Sequence, residues 1–240
     1  MRIGSLFSGV GGYELGLCAA IPGARVVWQC EIDPFCRRVL ARHWPAVPIY
    51  EDITTLEEVP PVDLICGGFP CQDISIAGKG AGINGTKSGL FFELMRIVRL
   101  AGHPKWICLE NVPALASRGM GAVLGELAQS GYDAEWSVFG ADDLGAPHRR
   151  KRIWIIAWRR DVADTNGPQR KGNERSFRVT PEHANTGGTG WWAHQPPMGR
   201  VADGFPGRVD RLRALGNAIV PACAYQVGLR VAELSRHRQP

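Results

Sequence analysis

No stretch of the 240-residue chain carries the run of about 20 apolar residues that a membrane-spanning helix needs. The opening "MRIGSLFSGVGG" breaks into glycines after one short apolar run, so it lacks a secretory core, and the expectation is a cytoplasmic protein with no membrane contact. Cysteine is present without a ligand pattern. The seven residues, at 18, 30, 36, 66, 71, 108 and 223, are odd in number, show no C-x-x-C spacing and have no histidine set nearby. That argues against zinc, and no metal is expected. Internal repeats and low-complexity runs are also missing. Neither charge sign is scarce: 28 Lys and Arg stand against 23 Asp and Glu, a net +5. With 45% hydrophobic and 21% charged residues the composition is that of an ordinary globular chain. Its length suits one domain, or a domain with a small appendage.

What is there is unevenly placed. Arg149, Arg150, Lys151, Arg152, Arg159 and Arg160 crowd one stretch, followed by Arg170, Lys171, Arg175 and Arg178. A polyanion partner or a solvated basic face both account for this. Short β-branched or aromatic runs ("RIGSLF", "ARVVWQC", "VDLIC", "KWICLE", "YDAEWSVFG", "RIWIIAW") alternate with longer stretches of helical periodicity. The alternation predicts an α/β fold, a doubly wound and mostly parallel sheet, through about Arg160. From Asp161 to Pro206 the periodicity gives way to Gly, Pro, Asn and charge. It returns in "GRVDRLRALGN" and in the apolar "AIVPACAYQVGLRVAELSRH", a C-terminal helix expected to bury itself against the main sheet. The expected units are 1–160, 161–206 and 207–240.

Five stretches carry chemistry. "LFSGVGG" follows the first strand, where glycines at 9, 11 and 12 admit close backbone approach and open a helix. A dinucleotide fingerprint would need glycine at position 14, which is Glu14, so a pyrophosphate is disfavoured. Glu31 closes the second strand, where ribose hydroxyls would meet it, and Asp52 follows the third, within reach of an exocyclic amine. A nucleoside without a diphosphate fits, and S-adenosylmethionine is such a ligand. "VDLICGGFPC" brings Cys71, stiffened by Pro70, to the carboxyl edge of the sheet; it is either a nucleophile or a turn cysteine. "ICLENVPAL" ends a strand in Glu110-Asn111, where burial would raise the acid's pKa; a helix-capping role is the alternative. In "GAPHRRKRIWIIA" the alternation sends Arg150 and Arg152 to one side and Arg149 and Lys151 to the other. "RALGNAIVP" reads as a tight Gly216-Asn217 turn, with or without a site.

In this order the blocks "LFSGVGG", "EIDP", "EDI", "GGFPCQDIS", "GLFFELMRIV", "ENV", "GAPHRRKRIWIIA" and "GNAIVP" resemble the bacterial cytosine-5 DNA methyltransferase family. The resemblance covers about two thirds of the chain. It implies a Rossmann-like S-adenosylmethionine-dependent fold and methyl transfer to carbon 5 of a cytosine flipped out of double-stranded DNA. Cys71 would add to carbon 6, Glu110 would hydrogen-bond or protonate ring nitrogen 3, and Arg152 would sit near the cytosine carbonyl. Phe7, Ser8, Gly9, Gly11, Gly12, Glu31, Ile32, Asp52, Ile53, Phe69, Pro70, Leu90, Asn217 and Ala218 would line the cofactor pocket. "QDISIAGKGAGINGTKSG" matches the family's catalytic loop, with Gln72, Ser75 and Lys79, and beyond the loop Arg150, as nucleic-acid contacts.

Two departures accompany the match. His148 stands where the family usually has glutamine, and the region between the arginine block and the last blocks is short. A short segment has fewer groups with which to read base edges. Within it Trp191 and Trp192 either stack on bases or form a small core. The expected assembly is a monomer, with room for a partner protein that supplies extra recognition. A binder that turns nothing over, and an RNA cytosine-5 methyltransferase, are the alternative readings.

Overall fold

Strict alternation along the strands decides the architecture. In the computed structural model, which describes residues 1–70, 89–160, 177 and 208–237, every second strand residue enters one of two hydrophobic cores. Ile65 of β4 (Leu64–Gly68), Ile107 and Leu109 of β5 (Trp106–Asn111), and Ile153, Ile155 and Ala157 of β7 (Arg152–Arg159) share the first core. Their neighbours Leu64, Cys66, Trp106, Cys108, Trp154, Ile156 and Trp158 share the second. A sheet apolar on both faces has to be covered on both.

The seven strands lie in the order β3-β2-β1-β4-β5-β7-β6. β1 (Arg2–Leu6), β2 (Arg25–Cys30), β3 (Ile49–Tyr50), β4 and β5 run parallel, and β7 is antiparallel to β5 and to β6 (Tyr132–Phe139). Order therefore reverses between β1 and β4, the place where doubly wound sheets open a crevice at their carboxyl ends.

One face is covered by α3 (Gly89–Leu100), through Phe91, Leu94, Met95, Ile97 and Val98, together with α4 (Leu115–Arg118) and α5 (Met120–Gln129). The stretch that reads as one helix over "ALASRGMGAVLGELAQSG" is two, broken at Gly119 (φ −166°, ψ −1°). α1 (Gly12–Ala20) and α7 (Pro221–Arg236) cover the other face, while α2 (Pro34–His43) follows β2. α6 (Arg208–Asn217) includes Gly216 and Asn217 in its last turn, so the expected tight turn at this pair is helix instead, and residues 218–220 connect it to α7.

α7 packs chiefly on α1 and more lightly on β7, a correction to the expectation that the main sheet would be its surface. Small residues permit the approach: a Cβ on Gly16 would lie 2.4 Å from the Pro221 carbonyl oxygen and 2.5 Å from the Ala224 methyl. Arg230 of α7 adds a bidentate bond to the buried Glu135 of β6, at 2.7 and 3.0 Å, and a third bond to Glu233. The long segment between β7 and α6 lies outside the described residues except for Phe177, which is buried edge-on against Phe139. No helix among the described residues is long and apolar enough to cross a membrane.

A polar group sits inside this packing. Glu14 of α1 is fully buried; its Oε1 accepts from Gln29 Nε2 at 3.1 Å, and its Oε2 has no partner. Burial pushes its pKa up, opposed by the neighbouring Ser5, Gln29 and Ser8.

Two outcomes follow for stability. Gly16→Ala should destabilise the protein by about 1–3 kcal/mol through overpacking. Gly125→Ala, in α5 with nothing within 4 Å of the added Cβ, should instead stabilise it by about 0.5–1 kcal/mol; urea midpoints compare the two. For Glu14, a raised folded pKa means that the folded state holds the proton longer, so wild-type stability falls as pH rises from about 4.3 toward the folded value. Glu14→Gln removes that slope. The difference in melting temperature should therefore move in favour of the variant between pH 4 and 8, and parallel profiles would refute the assignment.

Candidate active site

The chain leaves β1 through a strained turn. Phe7 (φ 53°), Gly9 (φ 56°) and Gly11 (φ 89°) all occupy the left-handed region, at a cost for the non-glycine Phe7 of about 1–3 kcal/mol, the kind of strain found at ligand clamps. The turn leads into α1, with Gly11 as its N-cap and Gly12 so close to the Ile219 carbonyl that a Cβ would lie 2.1 Å away. At Gly9, by contrast, an added Cβ would meet nothing within 4 Å. Glu31 holds the turn in place: its Oε2 accepts from the Gly9 N–H at 2.7 Å and its Oε1 from the Asp33 N–H at 2.8 Å. The Ser8 hydroxyl donates to that of Ser5 at 2.9 Å.

The neighbouring walls come from the next strands. Asp52 caps a one-turn 3-10 helix, Ile53–Thr55, and its Oδ1 accepts from both the N–H and the hydroxyl of Thr54 at 2.8 Å. These bonds lower its pKa below the usual carboxylate value. Ile53 is buried, whereas Ile32, one residue past Glu31, is 68% exposed. Phe7 and Leu90 both pack against the first core, and Phe69 is buried against Phe91, ring centroids 5.2 Å apart. Pro70 is exposed. Asn217 ends α6 and is exposed, and Ala218 follows it with its N–H on the Leu215 carbonyl at 3.3 Å.

The set suits a nucleoside cofactor. Two acids stand at the carboxyl ends of successive strands beside an open left-handed turn, where ribose hydroxyls and an amine find acceptors and a diphosphate would meet repulsion. Glu31 retains acceptor capacity, because each carboxylate oxygen can take a second bond.

Across the crevice, β4 and β5 bring a second group together. Their register pairs Gly68 with Glu110, and the absence of a side chain at 68 makes room for the acid, since a Cβ there would lie 2.7 Å from Glu110 Oε2. Arg152, at the start of β7, places its Nε 2.7 Å from Glu110 Oε1. Burial raises the Glu110 pKa, and Arg152 and then Arg150 oppose the rise. Arg150 Nη1 donates to the Gly216 carbonyl at 2.6 Å, tying the arginine block to the end of α6. The alternation read from sequence holds: Arg150 and Arg152 are half-buried, and Arg149 and Lys151 are exposed. Glu110, Arg150 and Arg152 line one cavity with Trp154, Ile219, Val220 and Cys223.

Asn111 fixes the root of the neighbouring loop, donating Nδ2–H to the Phe69 carbonyl at 2.9 Å while its Oδ1 accepts from the Val112 N–H at 2.8 Å. Cys71 follows two residues later in sequence; it, Gln72, Ser75, Lys79, Trp191 and Trp192 lie outside the described residues. The other cysteines are buried, or half-buried in the case of Cys18, and unbridged. Among the described residues no cluster of His, Cys, Asp and Glu is placed to hold a metal.

Sequence reasoning overlooked the apolar walls. Trp154 was available from parity, two residues past Arg152 on the same strand face. Ile219 and Val220 stood inside the quoted "GNAIVP", but their place beside Glu110 depends on how α7 docks.

Comparison with known proteins bears on this arrangement. The family model for C-5 cytosine-specific DNA methylase matches residues 1–188. The type II methyltransferase M2.BsuMI of Bacillus subtilis is 40% identical over 65% of this chain and 42% of its own length. M.HhaI of Haemophilus parahaemolyticus is 36% identical over 68% of this chain and 50% of its own. The chain thus spans about half or less of the length of these relatives. Among solved structures, a putative DNA modification methyltransferase encoded within an Escherichia coli prophage superposes with TM-score 0.53 at 27% identity, over 68% of this chain and 49% of that one. The S. pombe Dnmt2 methyltransferase shares the fold at TM-score 0.56 and 19% identity, over 73% and 57% of the respective chains. By this match, with its sheet order, its glycine turn and its paired Glu110 and Arg152, the chain belongs to the C-5 cytosine-specific DNA methylase family.

Proposed function

We propose that the protein methylates carbon 5 of cytosine in double-stranded DNA, with S-adenosylmethionine as methyl donor. The observation that carries this reading is the pair of a largely buried Glu110 and a half-buried Arg152, Glu110 lying on the strand next to the one that leads into Pro70-Cys71. A carboxyl group with a raised pKa, braced by a guanidinium in a partly apolar cavity, suits a pyrimidine that offers a ring nitrogen beside a carbonyl.

In this reading the residues divide the work. Cys71, as thiolate, adds to carbon 6 of a base flipped from the duplex, forming the sulfur–carbon bond and moving the ring electron pair toward carbon 5 and nitrogen 3. Glu110 meets the charge at nitrogen 3 with a proton or a hydrogen bond, and Arg152 orients Glu110 and polarises the carbonyl. S-adenosylmethionine supplies an electrophilic methyl group to carbon 5. Loss of the carbon-5 proton then restores the ring and breaks the bond to Cys71, returning the thiolate.

The donor would be held by Phe7, Ser8, Gly9, Gly11 and Gly12 at the turn, Glu31 and Ile32, Asp52 and Ile53, Phe69 and Pro70, Leu90, and Asn217 with Ala218. Gln72, Ser75, Lys79 and Arg150 would meet the nucleic acid, and residues 161–206 would read the target. The cytoplasm is the proposed site of action.

A duplex containing 5-fluorocytosine tests the covalent step, because its fluorine cannot leave as a proton does. Wild type with S-adenosylmethionine should form a complex stable to denaturation. Cys71→Ser should form none, and equal trapping by both would sink the mechanism. Separately, Glu110→Gln keeps a donor near nitrogen 3 but gives up proton transfer. Its kcat should drop by about 10²–10⁴-fold, with S-adenosylhomocysteine binding within about twofold of wild type by calorimetry.

A further inference from the structure

The pocket wall that carries Asp52 is a segment with little internal support. The 3-10 helix Ile53–Thr55 is a single turn, with long backbone bonds of 3.3 Å from the Thr55 N–H to the Asp52 carbonyl and 3.4 Å from the Leu56 N–H to the Ile53 carbonyl. Arg96 of α3, 40 residues away in sequence from Leu56, reinforces the turn from outside. Its Nη2 donates to the Ile53 carbonyl at 2.7 Å and its Nη1 donates to the Leu56 carbonyl. Glu93, one turn earlier on the same helix, holds the Arg96 Nε at 2.6 Å and so fixes the plane of the guanidinium. Ile53 and Leu56 are meanwhile buried among Phe91, Leu94 and Met95 of α3.

We infer that Arg96 is a positioning residue for the cofactor pocket, holding the Ile53–Thr55 turn so that Asp52 presents its carboxylate to the amine of the cofactor's nucleoside base. The inference rests on the reading of Asp52 given above. Two features make the arginine specific to the task. Its planar fork spans two carbonyls at once, which a lysine ammonium cannot reproduce. Its positive charge lies at the carbonyl end of the turn, opposite the end that Asp52 caps, and so complements the turn's dipole. Among the described residues, both bonds that the Asp52 carboxylate accepts fall on Oδ1, from Thr54, so its Oδ2 remains for a ligand only while the turn keeps its place.

The test is a titration of the purified 240-residue chain with S-adenosylhomocysteine, together with steady-state kinetics. Arg96→Met should weaken binding and raise the KM for S-adenosylmethionine by about tenfold or more, with kcat and the KM for DNA within about twofold of wild type. Arg96→Lys, which retains the charge and one bond, should fall between. Combined with Asp52→Ala, Arg96→Met should add little, because Arg96 acts through that carboxylate. Binding unchanged in both Arg96 variants, or full additivity in the double variant, would overturn the inference. Should Arg96→Met fail to fold, Arg96→Lys and its double variant carry the same comparison. Wild type that binds no S-adenosylhomocysteine would instead refute the cofactor assignment itself.

Discussion

Because β1 pairs with β2 on one side and β4 on the other, and all three run parallel, the chain has to leave the sheet in opposite directions from its centre. The carboxyl ends of β1 and β4 are therefore the two lips of a crevice that no crossover fills. The strained turn from Phe7 to Gly11 occupies one lip. The Gly68-Phe69-Pro70 exit occupies the other, with Glu110 one strand further on. Every group assigned to the cofactor or the base depends on that reversal, since no stretch of sequence brings the two sets together on its own.

Within the crevice the two halves obey different electrostatic rules. On the cofactor side the acids are hydrogen-bonded to backbone N–H groups: Glu31 holds Gly9 and Asp33, and Asp52 holds Thr54. At Asp52 such bonds lower the pKa and favour the charged form, which suits an amine donor. On the base side Glu110 is largely buried, with the guanidinium of Arg152 as its ion-pair partner among the described residues. Burial outweighs that attraction, so the proton is held more tightly than on an ordinary glutamate. One acceptor site and one proton-holding site thus stand a few strands apart, produced by the same residue type in different surroundings.

Much of this was legible in the sequence. The strand and helix alternation gave the sheet, the missing third glycine at Glu14 weakened the diphosphate reading, and the parity of the arginine block placed Arg150 and Arg152 together. Glu14 shows where local reasoning stops. Its identity disfavoured one ligand, but that it lies buried against Gln29 depends on β2 lying beside β1. Arg96 was invisible for the same reason: within "GLFFELMRIV" it is one more helical arginine, and only the packing of α3 on the Ile53–Thr55 turn gives it two carbonyls to hold. The pairing of α7 with α1 was missed because a stripe of small residues carries no address for its partner.

That last pairing bears on the order in which the molecule is made. α1 leaves the ribosome before α7, and strands β2 to β7 are made between them. A nascent chain that has emerged as far as Arg160 can already pair all seven strands, yet the surface of α1 around Gly12 and Gly16 is still bare, and Ile219 does not yet back the glycine turn. Closing so long a loop is entropically slow compared with the local contacts of the sheet. The glycine turn would thus gain its backing only when α7 seals against α1, and not when the sheet is complete.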